Sequence, residues 1–268
     1  MVAREDRKSM RGEPSGAPRR FFHLAKAELG QFVQGLADAA FPRRCAACRG
    51  LLPAGTVAAL CAECELSLTA VEHPMCPRCG LPYVGCAGPD HDCPGCTLSP
   101  PPFEKALSAF LYGGSAHDMI TAMKYSRRMS AGAELFRLAS AACDLASFAA
   151  GCDLVVPVPT ALGRLVVRGF NQAELIAGMV SAATGITHDP TVLKRVFHSR
   201  PQVGLGRSDR AMNLRGVFAV RRGRLVRGKR LLLVDDVMTT GATARECSRV
   251  LLDAGAASVR VFTLARTI

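Results

Sequence analysis

LLLVDDVMTTGAT, residues 231–243, decides how this chain is read. Leu231 to Val234 form an unbroken apolar run, which suits a strand buried on both faces of a parallel sheet. Two aspartates follow at once. They are poor strand formers and repel each other, so their place at the end of the run calls for a chemical reason. MTTGAT then bends the chain toward a helix carrying Arg245, Cys247, Val250 and Leu251. A helix start offers unpaired backbone N–H groups and the positive end of the dipole, both of which favour a phosphate. Gly241 lets the backbone come close to such a group, and Thr239, Thr240 and Thr243 add hydroxyl donors. Carboxylates just upstream can accept hydrogen bonds from sugar hydroxyls. Phosphate plus diol describes a ribose 5-phosphate. Neither G-x-x-x-x-G-K-[ST] nor G-x-G-x-x-G occurs, so this is not one of the common nucleotide loops.

Outward from that loop, strands and helices alternate. KALSAFLY (105–112) reads as a strand, and MITAMKYS and AELFRLASAACDLASFAA as helices. DLVVPVP (153–159) reads as a buried strand and FNQAELIAGMVSAATG (170–185) as a helix stopped by Gly185. TVLKRVF (191–197) and GVFAV (216–220) are strand-like, RLLLVDD (230–236) is a central strand, a helix runs on to about Gly255, and SVRVFTLAR (258–266) is the last strand. This alternation predicts an α/β fold with a mostly parallel sheet flanked by helices, over residues 103–268. In such sheets ligands bind at the carboxyl ends of strands, where Asp235 and Asp236 fall.

Nine of the twelve cysteines lie between positions 45 and 96. They include Cys45-x2-Cys48, Cys61-x2-Cys64, Cys76-x2-Cys79 and Cys93-x2-Cys96. One such knuckle aims two thiolates at a single ion, and two close a tetrahedral zinc site. Residues 43–99 are therefore expected to form a double zinc ribbon with two structural Zn2+ sites. Sequential pairing is preferred; interleaved pairing is the alternative. A disulfide framework suits this spacing less well. Cys86 and His91 are possible substitute ligands or loop bystanders, and no chemistry is assigned to Cys143, Cys152 or Cys247.

The remaining features bound the class. Residues 1–20 are polar and mixed in charge, a disordered tail without the apolar stretch of a secretory signal, which points to a cytoplasmic protein. Residues 21–42 carry apolar positions at helical spacing, an amphipathic helix ended by Pro42. No run reaches the roughly 18 apolar residues of a membrane span. Net charge is +12, from 34 Lys+Arg against 22 Asp+Glu, which favours acidic partners such as phosphorylated metabolites or nucleic acid. With no Trp and three Tyr, a broad stacking platform for single-stranded bases is disfavoured.

VDDVMTTGAT resembles the phosphoribosyl pyrophosphate signature of type I phosphoribosyltransferases, with Met238 where valine is more usual. The cysteine pairs, MKYS, VPVPT, RGFNQ (168–172) and RSDRAMNLRGVFAV (207–220), in that order, are similar to the ComF family, which includes competence proteins linked to DNA uptake. The likeness runs from about Cys45 to Arg266. It implies a type I phosphoribosyltransferase fold for 103–268. It also implies that Asp235 and Asp236 hold the ribose hydroxyls and that Thr239, Thr240, Gly241, Ala242 and Thr243 wrap the 5-phosphate. The loop around Thr160 and Arg164 resembles the pyrophosphate loop. Arg168, with Asn171 and Gln172, lines the same mouth, and residues 200–215 resemble the mobile hood. Lys124 and Tyr125 are placed at the site edge, Tyr125 more as packing than as a base-stacking group, and Glu174 more as a helix-surface residue than as an acid–base group.

The activity so implied is transfer of ribose 5-phosphate from phosphoribosyl pyrophosphate, with Mg2+, to an unknown acceptor. Displacement at the anomeric carbon builds oxocarbenium character and needs no protein nucleophile. A second reading is a non-catalytic binding module that senses the metabolite and holds single-stranded DNA for the uptake machinery through its ribbons and the arginines of 200–230. A third is a zinc-stabilised interaction protein without a ligand.

Overall fold

The computed structural model describes residues 42–53, 56–126, 128–196 and 215–268. The tail expected over 1–20, most of the helix expected over 21–42 and most of the hood stretch 200–215 lie outside the described residues. The chain separates into two compact units, one of residues 1–44 and 51–57 and one of residues 45–50 and 58–268. The described part of the first is a small antiparallel contact in which Arg44 bridges Leu51. The second holds all four cysteine knuckles and the α/β sheet.

The sheet has four parallel strands in the order β1 (Lys105–Leu111), β6 (Ser258–Arg266), β5 (Arg230–Met238), β2 (Leu154–Pro157). The apolar run of residues 231–234 is wholly buried at its centre, as its composition predicts. On one face lies α9 (Ala242–Asp253). Its Cys247 and Leu251 pack with Leu231, Leu233, Val259 and Val261. The other face is covered by α4 (Met129–Ala142) and α7 (Gln172–Thr184), with α3 (Gly114–Tyr125) packed on α4. Gly185, at φ 74°, ends α7 in the left-handed conformation that favours glycine.

Several expectations are corrected in detail. Residues 133–150 form not one helix but α4 and a short α5 (Leu145–Ala149), because Cys143 turns extended and Asp144 caps the second segment by accepting from Ser147 N at 3.0 Å. The two strand-like stretches around 191–197 and 216–220 do not join the main sheet. They pair antiparallel as β3 (Leu193–Arg195) and β4 (Phe218–Val220). The stretch carrying Arg164 is not a loop but α6 (Leu162–Arg168), ended by Gly169 at φ 84°. Short helices α1 (Ala62–Leu66) and α2 (Pro94–Leu98) belong to the cysteine region, and α8 (Gly223–Val226) leads into β5. No described helix is long and apolar enough to cross a membrane.

Candidate functional site

Strand β5 runs on to Met238, so Asp235 and Asp236 sit inside the strand rather than beyond its end. Alternation along a strand then separates them. Asp235 falls on the face of Leu231 and Leu233, beneath α9; Asp236 falls on the face of Leu232 and Val234. Each carboxylate has a different neighbour. Asp236 Oδ2 lies 2.8 Å from Lys124 Nζ at the end of α3, with the two side chains only 15% and 16% exposed. Asp235 Oδ1 accepts from the N–H of Asp236 at 2.9 Å. Burial of its carboxyl, and then the charge of Asp236, push the pKa of Asp235 up to about 8, against the opposing pull of that N–H and of Lys124.

After Met238 the backbone turns through Thr239 and Thr240 to Gly241, which sits at φ 74° and opens α9. A side chain there would be strained, which explains the glycine. Asp235, Val237, Met238, Thr239, Gly241, Ala242, Thr243, Ala244 and Thr263 line a small cup over the helix start. Thr240 Oγ1 accepts from Ala242 N at 3.4 Å and holds the turn. Thr263 was not anticipated from sequence. It stands opposite Asp235 in the β5–β6 register, and its hydroxyl lies 2.7 Å from that of Ser108 on β1. The signal was a hydroxyl interrupting the apolar run of SVRVFTLAR.

The mouth of the site draws on α3 and α6. Arg168 stacks over the Tyr125 ring at 5.1 Å and donates to Gln172 Oε1 at 3.0 Å. Tyr125 is exposed rather than packed against the fold. Gln172 is buried, and its Nε2 has no hydrogen-bond partner among the described residues. Asn171 has a structural task instead: it caps α7 through Ala173 N at 3.2 Å and donates to Val158 O at 3.1 Å. Thr160 is half-buried in the β2–α6 connection, Arg164 is exposed on α6, and Glu174 is exposed on α7. Arg195 on β3 is exposed yet stacks on Phe218 at 5.3 Å, and partial desolvation, then the charge of Arg164, pull its guanidinium below its usual range.

The cysteines gather into two tetrads, Cys45/Cys48/Cys61/Cys64 and Cys76/Cys79/Cys93/Cys96, with the four sulfurs of each within 4.8 Å of one another. The pairing is sequential. Cys86 is exposed and outside both tetrads, and His91 stacks on Tyr83 at 4.1 Å instead of turning to the sulfurs. The donor set fits zinc. A Zn–S bond of about 2.3 Å sets tetrahedral S···S edges of ~3.8 Å. Cys48 and Cys61 Sγ are 3.8 Å apart, and Cys79 and Cys93 Sγ 3.7 Å. A disulfide would need about 2.05 Å. Backbone N–H groups also point at the sulfurs, Cys61 N to Cys45 and Cys93 N to Cys76. Against the opposing effect of burial, these and neighbouring amides hold Cys45 near 6 and Cys76 near 7, whereas burial pushes Cys64 up to about 12 and raises Cys79 and Cys96, so each tetrad pairs one easily ionised thiol with others that only a bound cation would ionise.

Residues 36–97 match the double zinc ribbon domain, and residues 177–267 match the phosphoribosyl transferase domain. The DNA utilization protein YhgH of Escherichia coli K12 is 32% identical over 230 residues, covering 85% of this chain and 98% of that protein. The protein of the same name from Salmonella typhimurium is 34% identical over 197 residues, covering 72% and 85%. Competence protein F of Haemophilus influenzae is 31% identical over 233 residues, covering 84% and 98%. Overlap with the solved allosteric regulatory enzyme of purine biosynthesis is partial, at 29% identity, 44% of this chain, 23% of that chain and a TM-score of 0.31. With two tetrathiolate knuckle pairs ahead of a phosphoribosyltransferase-type sheet, and with relatives matched over nearly their whole length, the chain belongs to the competence protein F (ComF) family.

Proposed function

We propose that the β5–α9 turn binds phosphoribosyl pyrophosphate with Mg2+, and that the protein transfers ribose 5-phosphate to an acceptor. One observation carries this reading. Two carboxylates near the end of β5 lead, through Val237 to Thr240, into a glycine-opened helix start at the carboxyl edge of a parallel sheet. In this reading Thr239, Thr240, Gly241, Ala242 and Thr243 receive the 5-phosphate, and Asp235 and Asp236 accept the ribose hydroxyls. Thr160, Arg164 and Arg168 face the pyrophosphate, and Lys124 closes the site edge. Arginine contributes bidentate contacts to phosphate oxygens. Holding the sugar and its leaving group in one orientation is the chief contribution of the chain, together with exclusion of water. Carboxylate oxygens are hard donors that suit Mg2+, and in this reading Asp236 helps to hold it. When bound, the ion neutralises charge on the leaving pyrophosphate. The ribbon belongs to residues 43–99 and the transferase-like domain to 103–268, with the cysteine tetrads each holding one structural Zn2+.

The test is calorimetric titration of zinc-loaded protein with Mg2+ and phosphoribosyl pyrophosphate, followed by pyrophosphate release with a panel of nucleobases. Saturable binding that is lost in Asp235→Ala/Asp236→Ala is expected. A wild-type protein indifferent to millimolar metabolite, weaker than about 4 kcal/mol of binding, overturns the reading.

The net charge of +12 favours a second activity, the holding of single-stranded DNA, in keeping with relatives named for DNA utilization and competence. Its mark is binding that weakens steeply with salt and survives loss of both aspartates. No retention of DNA at low salt removes it.

A further inference from the structure

Helix α3 carries Lys124 at one end, and the first cysteine tetrad touches the helix at its other end and just beyond Lys124. At the start of α3, Ser115 is buried and donates through Oγ to the carbonyl of Cys64 at 2.7 Å. Ser67 Oγ lies 2.7 Å from Ser115 Oγ and accepts from Ser115 N at 3.2 Å. The fit is tight: a Cβ on Gly114, whose φ of 46° already favours glycine, would lie 2.3 Å from the Ser67 carbonyl oxygen, whereas one on the extended Gly113 would meet nothing within 4 Å. Beyond the other end of α3, Arg128 Nη2 donates to the carbonyl of Ala46 at 2.8 Å. Ala46 lies between Cys45 and Cys48; Cys64 closes the partner knuckle. The two knuckles of one tetrahedral site therefore hold the segment 114–128 at both ends. Between those two attachments lies Lys124, 2.8 Å from Asp236.

We propose that the first cysteine tetrad braces α3, and that Gly114, Ser115 and Arg128 are positioning residues that set Lys124 against Asp236. This rests on the sugar-phosphate reading of the β5–α9 turn for its functional meaning, but not for its geometry. A zinc ion fixes the separation of the two knuckles, and through it the register of α3 over the sheet edge. Lys124 reaches Asp236 as the last basic group of a rod held at both ends, not as a free surface chain. The ammonium has three donors, of which Asp236 engages one, so the same placement leaves donors for ligand oxygens. Loosening the brace withdraws Lys124 and leaves the Asp236 carboxylate unneutralised before any ligand arrives.

The test reads Lys124 directly. Zinc-loaded wild-type protein and the Gly113→Ala, Gly114→Ala, Ser115→Ala and Arg128→Ala variants are reductively methylated, and modification of Lys124 is followed by mass spectrometry against exposed Lys194 as the internal reference. Zinc content is measured in parallel. Gly114→Ala and Arg128→Ala are expected to speed Lys124 modification by about fivefold or more, the equilibrium worth of one net hydrogen bond. Ser115→Ala should act in the same direction, while Gly113→Ala and the rate at Lys194 stay at wild-type values. If Gly114→Ala loses zinc or fails to fold, Arg128→Ala decides alone. Unchanged Lys124 reactivity in a two-zinc Arg128→Ala protein overturns the proposal. Binding of the Mg2+–phosphoribosyl pyrophosphate complex is then measured: weaker binding in the braceless variants extends the proposal to the ligand. Absence of binding even in wild type, with the methylation pattern as expected, sinks the sugar-phosphate reading and leaves the brace standing.

Discussion

At Asp235 the carboxyl is held protonated by burial and by the charge of Asp236, so its pKa in the folded chain lies above that in the unfolded chain. The contribution to stability is then complete below the unfolded value and is lost as pH rises through the folded value, near 8. Asp235→Asn copies the neutral form at every pH. Urea melts should show its advantage over wild type growing between pH 6.5 and pH 8.5; a constant difference would mean Asp235 ionises normally. The same shift gives ligand binding a direction. On the proposed reading ribose hydroxyls prefer a carboxylate at Asp235, so affinity for phosphoribosyl pyrophosphate should rise over this window, with proton release on binding visible in buffers of different ionisation enthalpy. Asp236 is the other case. Asp236→Ala strands the half-sheltered Lys124 ammonium, and a loss of about 1–3 kcal/mol is expected in ligand-free denaturation. The double variant Lys124→Met/Asp236→Leu should recover much of it, because an apolar pair leaves no unpaired charge.

At the scale of elements, the second knuckle pair is built into the edge of the sheet. Ala106 N on β1 donates to Arg78 O at 2.8 Å, and Gly80 N donates to Cys76 O at 2.8 Å. A Cβ on Gly80 would lie 2.9 Å from the Ala106 carbonyl oxygen, while one on Gly85 would meet nothing. Both glycines have positive φ, 69° and 74°, so both substitutions strain the backbone by about 1–2 kcal/mol. Gly80→Ala should lower the thermal midpoint further than Gly85→Ala, since only the former pushes the ribbon off β1. Equal midpoints would show the edge contact to be yielding. In the β5–α9 turn, Gly241→Ala forces a left-handed alanine at the helix start. If the turn binds phosphoribosyl pyrophosphate as proposed, the substitution should weaken that binding more than it lowers stability, because the N–H groups there would serve ligand as well as cap.

For the whole molecule, the zinc sites and the α/β sheet are expected to lose structure together. Arg266, buried at the end of β6, donates to the carbonyl of Cys79; burial pushes that thiol up and the Arg266 charge is among the effects opposing the rise, so strand and metal knuckle share one electrostatic neighbourhood. Elemental analysis should find two zinc ions per chain. Stripping them with a chelator should lower the melting transition followed by circular dichroism of the sheet, not just remove a separate early phase. Two independent transitions would show the ribbons to be a detachable module. Structural zinc binding supplies folding free energy in such small units, which have few large apolar residues of their own.

Much of this was legible in the chain itself, at places where local chemistry is strict. Four Cys-x2-Cys knuckles admit few uses, so tetrathiolate sites were readable, and the apolar run of 231–234 could serve only as a buried strand. Gly185 and Gly241 mark backbone that other residues enter at a penalty. What sequence left open depended on partners distant along the chain. The choice of sequential tetrads over interleaved ones, the separation of Asp235 and Asp236 onto opposite faces, the meeting of Lys124 with Asp236, the place of Thr263 beside the loop and the exclusion of β3 and β4 from the main sheet were settled by packing. A residue's own propensity carries no information about which side chain arrives from a hundred residues away. That is decided by strand order, register and the burial of surface, which exist only in the folded molecule.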